Sequence, residues 1–88
     1  MADIDPTADL VVYSRDGCHL CEQMILALKH HQERVSFSFQ VIDIDSCAEL
    51  ITQFNDKVPV LMSLPDRHEI CHYHLNISLL DDYLAKFR

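Results

Sequence analysis

Leu10-Val11-Val12-Tyr13-Ser14-Arg15-Asp16-Gly17-Cys18-His19-Leu20-Cys21 decides how this chain is read. Its first four residues are a continuous apolar run, β-branched and aromatic in part, of the kind that forms a strand covered on both faces. The run stops at Ser14-Arg15-Asp16-Gly17, and a helical pattern begins at Cys18. Leu20, Met24 and Leu28 recur at four-residue steps, with Cys21, Ile25 and Ala27 widening the stripe as far as about Gln32. Cys18 and Cys21 are three apart, so on that helix they share a face and lie within reach of a disulfide. Cys18 also stands at the helix N-terminus, where unpaired N–H groups and the helix dipole favour an anion by about 0.3–1 kcal/mol, and up to about 2 in better geometry.

That anion is a thiolate. Cys18 is therefore expected to be the nucleophile, and Cys21, one turn further in, the resolving thiol. Arg15 adds positive charge, as does His19 when protonated, while Asp16 and Glu22 oppose them, so His19 is read as modulating the pair rather than reacting. A Cys-x-x-Cys alone is equally compatible with half of a metal site. Its position after an apolar strand and at the start of a helix favours redox chemistry.

Working outward, Val35, Phe37, Phe39 and Val41 alternate with Ser36, Ser38 and Gln40, which predicts a strand over 35–44 with one apolar face. Asp45 or Ser46 is placed to cap a second helix carrying Cys47, Leu50, Ile51 and Phe54 on one stripe, closing near Asn55. Val60-Leu61-Met62 reads as a third strand, Pro65-Asp66-Arg67 as a tight reversal, and Glu69 to His72 as a fourth strand. Asn76 or Ser78 is placed to cap a last helix with Ile77, Leu80, Leu84 and Phe87 on its apolar side. The order is βαβαββα. The first two strands, joined through a helix, are expected to pair in parallel and the closing hairpin to add two antiparallel strands. This is an α/β arrangement with a four-stranded mixed sheet flanked by three helices.

Length and composition bound the rest. Eighty-eight residues support one core, so a single domain over 1–88 is expected, with residues 1–8 loose. A net charge of −7, with seven scattered Lys and Arg residues, disfavours nucleic acid and anionic membranes as partners. The N-terminus lacks a basic and apolar leader, and no apolar run approaches the roughly 20 residues of a membrane span, so a cytosolic location is expected. Four cysteines in a reducing compartment then point to redox or metal chemistry rather than a structural framework. Cys47 and Cys71, without near cysteines, read as plain packed thiols.

Two further features bear on a site. Pro59 opens the third strand after Val58, where an X-Pro bond adopts cis at modest cost and the missing N–H leaves the Val58 backbone open to an extended substrate. His72 and His74, expected to alternate in the fourth strand beside Cys71, form a sparse metal-like group that lacks further ligands and is read as rim histidines, so no metal site is assigned. His30-His31 read as cations facing a helix C-terminus.

Tyr13 to Cys21 resembles the opening of glutaredoxins, and Lys57-Val58-Pro59 their Thr-Val-Pro. The pattern is similar to small bacterial glutaredoxin-like proteins at Tyr13–Cys21, Ile42–Asp45, Val58–Leu61 and Glu69–Cys71, nearly the whole chain. The resemblance implies a thioredoxin-like fold and a thiol–disulfide oxidoreductase acting in redox homeostasis. It implies Cys18 as nucleophile, Cys21 as resolving thiol, Arg15 as a contact for a glutathione carboxylate, and Val58-Pro59 as the clamp on the substrate backbone.

The chain also departs from that pattern. Glutaredoxins carry Pro and Tyr inside the dithiol, where His19 and Leu20 stand here, and Gly-Gly then Asp after the fourth strand, where this chain reads Cys71-His72-Tyr73-His74-Leu75-Asn76. Side chains at those positions obstruct close approach of the tripeptide backbone. No resident cofactor is expected, glutathione is disfavoured as a co-substrate, and the substrate is a protein or low-molecular-weight disulfide met by a monomer. The competing classes are a metal or iron–sulfur module built on Cys18 and Cys21, and a non-catalytic interaction domain.

Overall fold

The computed structural model describes residues 7–64 and 66–87, the last of these through its backbone only. The elements are β1 (Leu10–Ser14), α1 (His19–His31), β2 (Phe39–Asp43), α2 (Ala48–Phe54), β3 (Val60–Ser63), β4 (Glu69–His72) and α3 (Ile77–Phe87), with a 3-10 turn at Ile44–Ser46 ahead of α2. The sheet order is β2-β1-β3-β4. β1 runs parallel to β2, from Leu10 against Phe39 to Ser14 against Asp43, and antiparallel to β3, with Tyr13 against Val60. This is the thioredoxin-like α/β architecture expected from the sequence.

β1 lies inside the sheet and all five of its residues are buried. Its alternation divides the core. Leu10 and Val12 join Met24 and Leu28 of α1 and Leu80 and Leu84 of α3 on one face. Val11 and Tyr13 join Phe54 of α2 and Val60 on the other. Tyr13 stacks on Phe54 with ring centroids 4.6 Å apart, which fixes α2 to the sheet, and burial pushes the Tyr13 phenol above its ordinary pKa. A continuous apolar run thus becomes a strand that faces helices on both sides.

Several expected details are corrected. β2 begins only at Phe39, because β1 offers no partner before Leu10, whose N–H reaches the Ser38 carbonyl. Val41 stays 45% exposed on this edge strand, whereas Ile42 on the opposite face is buried. Neither Asp45 nor Ser46 caps α2. The Asp43 carboxylate accepts from the Asp45 N–H at 2.8 Å and caps the 3-10 turn, and Cys47 becomes the α2 N-cap without a side-chain capping bond.

In α3, Asn76 is the cap, its side-chain oxygen accepting from the Leu79 N–H at 3.1 Å. Leu80 and Leu84 are buried, but Ile77 is 41% exposed, and Tyr83 packs against the core partly buried. The Phe87 side chain, Pro65 of the expected reversal and the N-terminal residues 1–6 lie outside the described residues. Ala8, expected in a loose tail, is buried. Among the described residues no helix is long and apolar enough to cross a membrane.

Candidate redox site

Gly17, the chain's one glycine, stands at φ +75, and an added Cβ there meets nothing within 4 Å. The backbone turn, not lack of space, calls for glycine. Beyond it Cys18 is the extended N-cap of α1, its N–H bonded to the Arg15 carbonyl at 3.2 Å and its carbonyl accepting from Glu22 N–H at 3.1 Å. Cys18 and Cys21 are joined by a disulfide, with Cα atoms 5.2 Å apart. The Cys21 N–H points at the Cys18 sulfur, 3.1 Å away. Cys18 is half-buried, whereas Cys21 is 1% exposed. Of the two residues, Cys18 alone is open to solvent.

The strand register places the other half of the site. Val60 pairs with Tyr13, so Pro59 comes level with Ser14, and Val58-Pro59 leaves the sheet at the same end as the loop carrying the dithiol. The Val58-Pro59 bond is cis and Pro59 is fully buried. Among the described residues the Val58 N–H and carbonyl make no hydrogen bond.

Arg15 anchors the start of the dithiol loop. Its guanidinium donates to both Asp45 carboxylate oxygens, at 3.0 and 3.2 Å, and to the Asn55 side-chain oxygen at 2.9 Å. It thereby ties the end of β1 to the 3-10 turn and to the C-cap of α2. A planar fork matches this geometry and an ammonium does not. Arg15→Ala is expected to cost about 1 kcal/mol, because the pair is partly solvated, and to lower the thermal midpoint by about 4–8 °C, with Arg15→Lys giving little rescue. Thermal unfolding followed by circular dichroism measures both.

A model of the glutaredoxin-like domain (DUF836) matches residues 9–85, almost all of the chain. The chain belongs to that family. The solution structure of protein Ne2328 from Nitrosomonas europaea is similar to this glutaredoxin-like chain at 42% identity and a TM-score of 0.78, over 92% of this chain and 94% of that one. The X-ray structure of protein XcR50 from X. campestris is similar at 30% identity and a TM-score of 0.71, over 90% and 99% of the two chains. Thioredoxin 1 from Thermosipho africanus shares the fold, with 21% identity and a TM-score of 0.60 over 88% and 94%. No curated protein matches the sequence.

The remaining candidates sit around this glutaredoxin-like site in different ways. His19 occupies the first turn of α1, with a side chain 82% exposed and 3.9 Å from Glu22, a pairing too long and solvated to fix it. His72 and His74 do not share a strand face as expected, because β4 ends at His72 and Tyr73 turns the chain at φ +65. Among the described residues no three His, Cys, Asp or Glu side chains converge as metal ligands. Cys71 is buried, which pushes its thiol up against an opposing backbone hydrogen bond from Asn76. Burial also pushes the Glu69 carboxyl up, but hydrogen bonds from His72 and Lys57 outweigh it and hold the group below its ordinary range. The partners of Arg15 were not legible in sequence, since Asp45 and Asn55 lie 30 and 40 residues away and carry no local signal.

Proposed function

We propose that this glutaredoxin-like chain is a thiol–disulfide oxidoreductase in which Cys18 attacks and Cys21 resolves. The observation that carries the reading is the inequality of two sulfurs already within bonding reach: Cys18 half-buried at the helix N-cap under the Cys21 N–H, Cys21 enclosed one turn below. In the dithiol form that N–H and the α1 terminus favour a Cys18 thiolate.

The thiolate attacks one sulfur of a substrate disulfide, forming a bond from Cys18 to that sulfur and breaking the substrate S–S bond. The departing thiolate takes a proton from solvent. Cys21 then loses its proton and attacks the Cys18 sulfur, closing the intramolecular disulfide and releasing the second substrate thiolate, which is protonated in turn. Two electrons pass from the dithiol to the substrate. An external thiol or dithiol reductant restores the cycle. The Val58 backbone is the docking edge for the substrate chain, and Arg15 supports the loop through Asp45 and Asn55.

Equilibration of the protein in thiol–disulfide buffers, with the two thiols counted by alkylation and mass, tests the proposal together with a turnover assay. One reversible two-electron transition is expected, with reduction of a peptide mixed disulfide faster than by the buffer thiol alone. A pair that titrates but adds nothing to the buffer rate overturns the oxidoreductase reading.

A further inference from the structure

Tyr73 is the first residue past β4 and stands at φ +65, a conformation that bulky side chains rarely adopt. Its N–H donates to the Pro59 carbonyl at 2.9 Å, and Pro59, lacking an N–H, returns no bond, so the β3–β4 ladder stops there. The His74 N–H closes back on the His72 carbonyl at 2.8 Å, a three-residue turn with Tyr73 at its centre. The Tyr73 hydroxyl donates to the Asp56 carbonyl at 2.5 Å. One residue therefore holds the backbone on both sides of Val58.

Its neighbours reinforce the hold. The His72 ring meets the Tyr73 ring edge to face at 4.6 Å. Glu69, the first residue of β4, pairs with His72 at 3.0 Å and with Lys57 at 3.3 Å, binding a third residue of the same loop to β4. Asp56, Lys57 and Pro59 are thus all anchored, while the Val58 N–H and carbonyl remain uncommitted among the described residues. A left-handed tyrosine persists where its surroundings hold it there, and such strain concentrates at sites of recognition.

We propose that Tyr73 is a positioning residue that fixes loop 56–59 so that Val58 pairs with an extended peptide segment of a disulfide substrate, making peptide and protein disulfides the preferred class. The inference rests on the oxidoreductase reading. A strand-like docking contact draws on the substrate's own backbone, so a small disulfide without one gains nothing from it.

Tyr73→Phe removes the hydroxyl and keeps the ring, while Tyr73→Gly accepts the backbone turn and removes both. The test compares kcat and KM for a cysteine peptide in mixed disulfide with those for hydroxyethyl disulfide, at a temperature where circular dichroism shows every variant folded. Tyr73→Phe is expected to raise KM for the peptide about three- to ten-fold, the reach of one lost hydrogen bond, with kcat and the small disulfide unaffected. Tyr73→Gly is expected to raise the peptide KM further although it relieves the strained turn. An unchanged peptide KM, or an equal loss on both substrates, overturns the positioning role while leaving the oxidoreductase reading intact. A wild-type chain that reduces neither disulfide overturns both.

Discussion

Cys18→Ser is expected to lower disulfide reduction by about a thousand-fold or more, and Cys21→Ser to stop the reaction at a mixed disulfide on Cys18. The asymmetry follows from position. A serine hydroxyl does not ionise at neutral pH, and Cys21, 1% exposed, cannot replace the lost nucleophile without opening the first turn of α1. With Cys21 replaced, attack by Cys18 proceeds as before, but the intramolecular step has no thiolate and the adduct waits for an external thiol. Mass spectrometry of Cys21→Ser after mixing with a peptide disulfide reads the adduct directly. The same chemistry fixes a pH dependence. The thiolate is the attacking form, so the attack rate rises with pH as Cys18 loses its proton. A Cys18→Ser variant within tenfold of the parent, or adducts mapped to Cys21, would contradict the assigned roles.

The site was legible where local chemistry defines it and obscure where the third dimension does. Leu10 to Cys21 carries its strand, turn and helix start within twelve residues, each marked by its own residue types, and α1 runs from His19 to His31 as the four-residue stripe requires. Pro59 was legible for the same reason, since a missing N–H and a fixed φ act on its immediate neighbours. Val41 lies in β2 as its alternation requires, but a period of two reports which residues share a face, not whether a helix covers that face at the sheet edge. Ile77 follows the same logic at the end of α3, where the stripe continues but the core does not. His74 reads as part of β4 because nothing in a histidine announces that its predecessor adopts a left-handed backbone. That turn depends on the Tyr73 bonds to Pro59 and Asp56, 14 and 17 residues back along the chain, a tertiary arrangement invisible to any local window.

Leu80 and Leu79 form a comparison in which helix propensity cancels and burial alone differs. Both lie in the first turns of α3, and both are leucines. Leu80 is 0% exposed in the buried cluster that includes Leu10, Met24 and Leu61, whereas Leu79 is 46% exposed and lines the groove between β4 and α3. Leu80→Ala is expected to cost about 2–5 kcal/mol, the lost transfer energy plus the cavity left behind, and Leu79→Ala about 0.5 kcal/mol. At about 4–8 °C per kcal/mol, the first lowers the thermal midpoint by roughly 8–40 °C and the second by about 2–4 °C. The larger loss takes much of the roughly 4–13 kcal/mol available to a chain of this length. It also reaches the dithiol, because Met24 and Leu28, which seat α1 and its N-terminal Cys18, belong to the same buried cluster as Leu80. Differential scanning calorimetry on the two variants measures the gap. A gap below about 1 kcal/mol would mean that α3 is not packed on this face of the sheet, and that the helix bearing the reactive cysteine is seated by something else.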